Sequence, residues 1–168
     1  MAVILFIGGM KSGKSKKAEE RALKCNGRRL YVATAQITDN EMEERVKKHR
    51  KRRKNLFETL EEPIKLSSAL NNEYDVIMID CLTFWYNNLF YYYNDIKKRE
   101  YELNSFVNAL KSFKKDVILV TNEVGLGIIP ENPLARQFID FSGVANQKIQ
   151  KVSNEVYFVV SGLEVRLK

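Results

Sequence analysis

The sequence predicts an α/β fold: a mostly parallel β-sheet flanked by helices, with an antiparallel strand pair at its C-terminal end. Three observations predict it. Continuous apolar runs alternate with amphipathic stretches, the pattern of strands buried on both faces and joined by crossover helices. The first apolar run ends in glycines and leads directly into a helical stretch. The last two runs are separated only by Ser161-Gly162, a turn signal. A chain of 168 residues with 45% apolar side chains has enough material for a core, so one domain over residues 1–168 is expected and global disorder is excluded.

Taken in order, residues 2–7 (AVILFI) form a continuous apolar run, hence a strand buried on both faces, and a helix is expected from 14 to 24. Residues 30–34 read as the second strand. Thr38, with Glu41 three positions on, makes a capping box that opens a helix to about residue 53. Residues 56–60 suit a short strand and 74–80 a further buried one. Helical stretches follow at 82–93 and 98–113, then a strand at 116–121, a Gly/Pro-rich loop at 125–133 and a helix at 134–152. Residues 155–160 and 164–167 complete the chain as the strand pair. The aromatic tract 85–94 (WYNNLFYYYN) reads as a helix whose rings pack on the sheet or on a neighbouring subunit.

Lysine and arginine exceed aspartate and glutamate by 28 to 21, yet residues 47–54 alone hold seven of the basic groups. Without that window the count is 21 to 21, so the basicity is one local patch suited to a polyanionic ligand. Cys25 and Cys81 lack CxxC spacing, which points to reduced thiols rather than a zinc site or disulfide framework. With no apolar run long enough to span a bilayer and no secretory signal pattern, a soluble cytoplasmic protein is expected.

The chemistry is carried first by Gly8, Gly9, Met10, Lys11, Ser12, Gly13, Lys14 and Ser15. These fit G-x4-G-K-S between a buried strand and a helix, the context a P-loop requires. Backbone N–H groups of such a loop wrap phosphates, Lys14 reaches the outer ones, and Ser15 offers a hydroxyl to Mg²⁺. Asp80 ends an apolar strand as a Walker B carboxylate does, making it the expected second metal ligand, from a strand neighbouring the P-loop strand. His49 is the chain's one histidine and sits inside the basic patch, where like charges favour the neutral, nucleophilic imidazole. Met42, Val46, His49 and Arg53 share one helical face. Pattern alone leaves His49 open between a structural and a chemical role. Asn122 and Glu123, at the carboxyl end of a strand, are positioned to reach substrate, and Arg136 to meet an anion or a partner.

These residues resemble the bifunctional adenosylcobinamide kinase/adenosylcobinamide-phosphate guanylyltransferases of cobalamin biosynthesis. The resemblance is carried by GGMKSGKS, by residues 31–53 (YVATAQITDNEMEERVKKHRKRR), by Asp80-Cys81-Leu82-Thr83, by residues 121–140 (TNEVGLGIIPENPLARQFID) and by residues 143–147 (GVANQ). It implies a RecA-like P-loop domain that assembles as a homotrimer and uses GTP, or ATP for the kinase step, with Mg²⁺. The implied reactions are phosphorylation of adenosylcobinamide, then transfer of GMP from GTP through a guanylylated His49 to adenosylcobinamide phosphate. Implied catalytic residues are His49 and Lys14. Implied nucleotide contacts are the P-loop, Ala33, Thr34, Ala35, Lys51, Arg52, Arg53, Lys54, Glu61 and Asp80, and Ser15 and Asp80 are the implied metal ligands. Nucleic acid is not an expected partner. Two other readings of the motifs stand beside this one: a P-loop kinase of another small metabolite, and an NTP-gated nucleic-acid-binding module using the basic patch.

Overall fold

A computed structural model describes residues 1–36, 44, 47, 53 and 55–168. Seven strands form a single sheet: β1 (Val3–Gly8), β2 (Arg29–Ala33), β3 (Glu58–Glu61), β4 (Val76–Asp80), β5 (Asp116–Asn122), β6 (Glu155–Val160) and β7 (Leu163–Arg166). Their spatial order is β3-β2-β4-β5-β1-β6-β7. Every pairing is parallel except that of β6 with β7. The described helices are α1 (Lys14–Leu23), α2 (Leu82–Tyr92), α3 (Ile96–Ser112) and α4 (Pro133–Val152), with a 3₁₀ turn at Leu66–Ala69. The helix expected over 38–53 lies largely outside the described residues, of which Glu44, Lys47 and Arg53 are helical.

Alternation along each strand sorts the core into two layers. Ile4 and Phe6 of β1, Val76 and Met78 of β4, and Ile118 and Val120 of β5 pack with Ala18 and Ala22 of α1. Their neighbours Val3, Leu5, Ile77, Ile79, Val117 and Leu119 face the other way, onto α2, α3 and α4. This is why β1, β4 and β5 read as unbroken apolar runs. The first half of the aromatic tract is largely internal, whereas Tyr91 and Tyr92 are exposed: Trp85, Tyr86 and Leu89 are fully buried, and Trp85 Nε1 donates to the Ile64 carbonyl at 2.7 Å. Phe90 meets Phe138 and Phe141 of α4 edge-on.

Helix starts reflect local chemistry. Asp95 caps α3 by accepting from Lys97 N, and Asn132 caps α4 by accepting from Leu134 N and Ala135 N, with Pro133 at the first position. Before α1 stands Gly13, left-handed at φ 97°, with no side-chain cap. The first-turn N–H groups of that helix are therefore left to a ligand.

Candidate active site

The loop from Gly8 to Ser15 joins β1 to α1 at the carboxyl edge of the sheet. A Cβ on Gly8 would run into the Val159 carbonyl oxygen and stand 2.9 Å from Ser12 Oγ, so no other residue fits there. Ser12 N donates to the Gly9 carbonyl at 3.3 Å, and Lys11 takes φ 56°, so the loop curls tightly. The turn between β6 and β7 braces it from outside, Gly162 N donating to the Ser12 carbonyl at 2.8 Å. Lys14 is buried, and its Nζ donates to the Gly9 carbonyl at 2.9 Å, across the mouth of the loop. Met10 is exposed and Ser15 half-buried.

Asp80 ends β4, level with Ala33 of β2 and Val120 of β5. Its strand is not the immediate neighbour of the P-loop strand, contrary to the simplest expectation from sequence. β5 lies between β4 and β1, which sets the two strand axes about 9.6 Å apart. Alternation still places Asp80 on the face of Val76 and Met78, the face that carries α1. Asp80 Oδ2 accepts a hydrogen bond from the Tyr31 hydroxyl at 3.1 Å. Burial, and then the Asp80 charge, hold the Tyr31 hydroxyl well above its usual titration range, so it stays a donor.

Asp80 and Ser15 supply hard oxygen donors, and no group of three His, Cys, Asp or Glu side chains gathers to hold a metal among the described residues. A cation held here would have to take most of its shell from phosphate oxygens and water, a coordination that suits Mg²⁺. The donor set fits Mg²⁺.

Arg53 is 5% exposed; its guanidinium carbon lies 3.4 Å from the Tyr31 ring centroid, and Nη1 is 3.8 Å from Glu19 Oε1 on α1. Sequence grouped Arg53 with the nucleotide-facing basic run, whereas its side chain is packed inward. Thr34 is fully buried; its hydroxyl donates to the Cys81 carbonyl at 2.7 Å and accepts from Cys81 N at 3.0 Å. That hydroxyl fastens the start of α2 to β2, while the flanking Ala33 and Ala35 are only half-buried. Burial, and then Asp80, push the Cys81 thiol up to about 11, so it is a neutral thiol at physiological pH. Glu61 pairs with Ala33 at the exposed end of β3. His49, Lys51, Arg52 and Lys54 lie outside the described residues.

Sequence reasoning missed Tyr31 and a buried polar cluster at the end of β5. Thr83 Oγ1 accepts from Asn122 N at 2.7 Å and meets Thr121 Oγ1 at 3.3 Å. Thr121 Oγ1 and the Tyr86 hydroxyl both donate to Asn146 Oδ1, at 3.2 and 3.0 Å. A polar residue at an otherwise apolar strand or helix position was the available signal. Glu123 Oε1 accepts from Gly125 N at 2.7 Å, and Arg136 Nη1 donates to the Pro130 and Glu131 carbonyls. Both side chains serve their own loop.

Comparison with known proteins gives this edge of the sheet its context. A family model described as cobinamide kinase/cobinamide phosphate guanyltransferase (CobU) matches residues 4–167. The chain belongs to that family. It is 38% identical over 167 residues to the bifunctional adenosylcobalamin biosynthesis protein CobP of Pseudomonas aeruginosa, covering 98% of this chain and 96% of the relative. It is 37% identical over 181 residues to the corresponding CobU protein of Escherichia coli K12, covering 99% of each. The family is one of cobalamin-biosynthetic enzymes with kinase and nucleotidyltransferase activities, and this chain is an enzyme of that class.

Solved structures place the fold among P-loop NTPases. A KaiC-like protein, PH0186 of Pyrococcus horikoshii OT3, superposes with a TM-score of 0.51 at 14% identity, over 94% of this chain and 70% of that one. A type III secretion system ATPase of pathogenic bacteria does so with a TM-score of 0.53 at 12% identity, over 98% and 56%. At such identities the likeness concerns the fold alone. No helix among the described residues is long and apolar enough to cross a membrane.

Proposed function

We propose that this enzyme phosphorylates adenosylcobinamide and then converts the product to adenosylcobinamide-GDP through a guanylylated His49. In the first reaction the aminopropanol hydroxyl oxygen of the corrinoid attacks the γ-phosphorus of GTP or ATP. The bond to the β–γ bridging oxygen breaks, the nucleoside diphosphate leaves, and the hydroxyl proton passes to solvent. In the second, an imidazole nitrogen of His49 attacks the α-phosphorus of GTP and pyrophosphate departs. A phosphate oxygen of the corrinoid then attacks the same phosphorus, breaking the P–N bond and restoring the imidazole.

The observation that carries this reading is the family match over a P-loop whose carboxylate partner, Asp80, lies on the α1 face. In it, the N–H groups between Gly8 and Ser15 hold the phosphates, and Lys14 leaves the Gly9 carbonyl to neutralise the charge that builds on the transferring group. Mg²⁺, held by Ser15, Asp80 and phosphate oxygens, would offset charge on the triphosphate. Ala33, Ala35, the Thr34 backbone and Glu61 form the nucleotide-facing edge beyond Asp80. Lys51, Arg52 and Lys54 contact nucleotide phosphates, and Arg53 acts through its stack on Tyr31. The working unit is the whole chain as one domain, in a cytoplasmic homotrimer.

Incubation with α- or γ-labelled GTP and Mg²⁺, without corrinoid, tests the reading. The α-label is expected to remain on the protein through an acid-labile, comparatively base-stable bond. His49→Asn is expected to take up none and to keep phosphorylating adenosylcobinamide. Absence of α-label on the wild type would leave a kinase alone. Label persisting on His49→Asn would place the covalent link on another residue.

A further inference from the structure

The carboxyl end of β5 opens between the phosphate loop on β1 and Asp80 on β4. Asn122 closes that end, level with Gly8, and Glu123 N donates to the Gly8 carbonyl at 3.1 Å. Alternation puts Asn122 on the face of Ile118 and Val120, the face that also holds α1 and Asp80.

Its backbone is clamped from both sides. Asn122 N donates to Thr83 Oγ1 at 2.7 Å, and its carbonyl accepts from Asn146 Nδ2 at 3.5 Å. The proton directions in the clamp are determined. Asn146 Oδ1 can only accept, so Thr121 donates to it and must accept from Thr83, whose oxygen in turn accepts from Asn122 N. Burial holds the Tyr86 hydroxyl, the other donor to Asn146 Oδ1, far above its usual titration range.

Against this satisfied network one atom stands out. Asn122 is half-buried, but its Oδ1 is shut off from solvent and has no hydrogen-bond partner among the described residues. An orphaned buried acceptor is destabilising, and the clamp holds the backbone that carries it in place. Ser12 Oγ, close to Gly8, is another buried polar atom without a partner among the described residues. The two differ chemically. A hydroxyl can donate to a phosphate oxygen, whereas an amide oxygen only accepts and gains nothing from an ionised phosphate. The missing partner of Asn122 is therefore a hydrogen-bond donor or a cation, and the hydroxyl that accepts the phosphoryl group is the donor the first reaction brings to this end of β5.

We propose that Asn122 Oδ1 accepts a hydrogen bond from the substrate hydroxyl that receives the γ-phosphoryl group, orienting its oxygen for attack. This rests on the two-reaction reading above and assigns Asn122 to the first reaction only. The histidine attack has no hydroxyl as its nucleophile and does not need this acceptor. An amide is not a base, so the hydroxyl proton leaves to solvent and Asn122 contributes orientation.

The test compares wild type, Asn122→Ala and Asn122→Asp in two assays: turnover with adenosylcobinamide and γ-labelled GTP, and the rate of α-label uptake without corrinoid. For Asn122→Ala, kcat of phosphorylation is expected to fall by about 10²-fold, while KM for GTP and the α-labelling rate stay within about threefold. Its thermal midpoint is expected to stay level or rise, because the orphaned acceptor is gone. Asn122→Asp keeps an acceptor oxygen and is expected to recover at least about a tenth of wild-type kcat at saturating nucleotide. Phosphorylation by Asn122→Ala within about threefold of wild type overturns the inference. Equal loss of both rates also overturns it, pointing to a structural role or a metal-bound water shared by both reactions. A wild type that labels with α-GTP yet phosphorylates no corrinoid overturns the kinase reading, and this inference with it.

Discussion

The two faces of the sheet divide the work between them. Among the described residues, one face is covered by α2, α3, α4 and the 3₁₀ turn, with Trp85, Tyr86, Phe106 and Leu110 interlocked beneath them. The other carries α1 and a smaller cluster that includes Ala18, Ala22 and Tyr31, and there the polar groups gather: Asp80, Arg53, Glu19 and Asn122. The first face has polar groups too, Thr83, Tyr86, Thr121 and Asn146, but they bond to one another and to the backbone of Asn122, and large apolar side chains around them leave no room for phosphates. A small-residue helix lets the backbone and a few ionic groups approach a ligand. The difference teaches that stability and chemistry can be altered separately in this molecule.

The sharpest attempt to break that division is Trp85→Ala. Its ring is fully buried and its Nε1 is bonded to Ile64, so unfolding free energy should fall by about 3–5 kcal/mol, read by denaturant titration. The fraction that remains folded should bind GTP with wild-type affinity. A lower affinity in that folded fraction would show that the two faces are coupled.

Lys14→Ala is the converse experiment. It should lower both phosphorylation and α-labelling by about 10²–10³-fold and shift the unfolding midpoint far less than Trp85→Ala does. Retained α-labelling would mean that the two reactions use separate phosphate sites.

Asp80→Asn keeps the shape of the side chain and removes its charge. Turnover should drop by about 10²-fold at fixed Mg²⁺, and Mn²⁺ binding in the presence of a non-hydrolysable GTP analogue should weaken in parallel. Unchanged Mn²⁺ binding would make Asp80 a structural end to β4. Tyr31→Phe should have the smallest effect. It removes only the hydroxyl that donates to Asp80, so Mn²⁺ affinity should fall about tenfold. Because the ring still packs under Arg53, thermal stability should change little.

The faces were legible in the sequence to different degrees. Unbroken apolar runs such as VIMI before Asp80 identify strands buried on both sides, and the G-x4-G-K-S spacing identifies the phosphate loop, because both depend on neighbours in the chain. Strand order is not a local property. Nothing near residue 80 says that β5 intervenes between it and Gly8. The same holds for the cluster of Thr83, Tyr86, Thr121 and Asn146, whose members are drawn from three elements and carry no spacing signature. Arg53 is a different case. Its shared helical face with Met42 and Val46 already hinted at an inward position, but the density of charge around it suggested a ligand-facing one.

The brace between Gly162 and the phosphate loop bears on the order in which the molecule can become competent. Ser12 and Gly162 stand 150 positions apart, yet the carbonyl of one is held by the N–H of the other. Val159, whose carbonyl crowds Gly8, is about as distant from it in the chain. On the ribosome the loop emerges well before the strand and turn that fix its shape. A nascent chain lacking β6 and β7 carries the whole phosphate-binding motif in an unsupported form, so nucleotide can reward folding only once those two strands have been made.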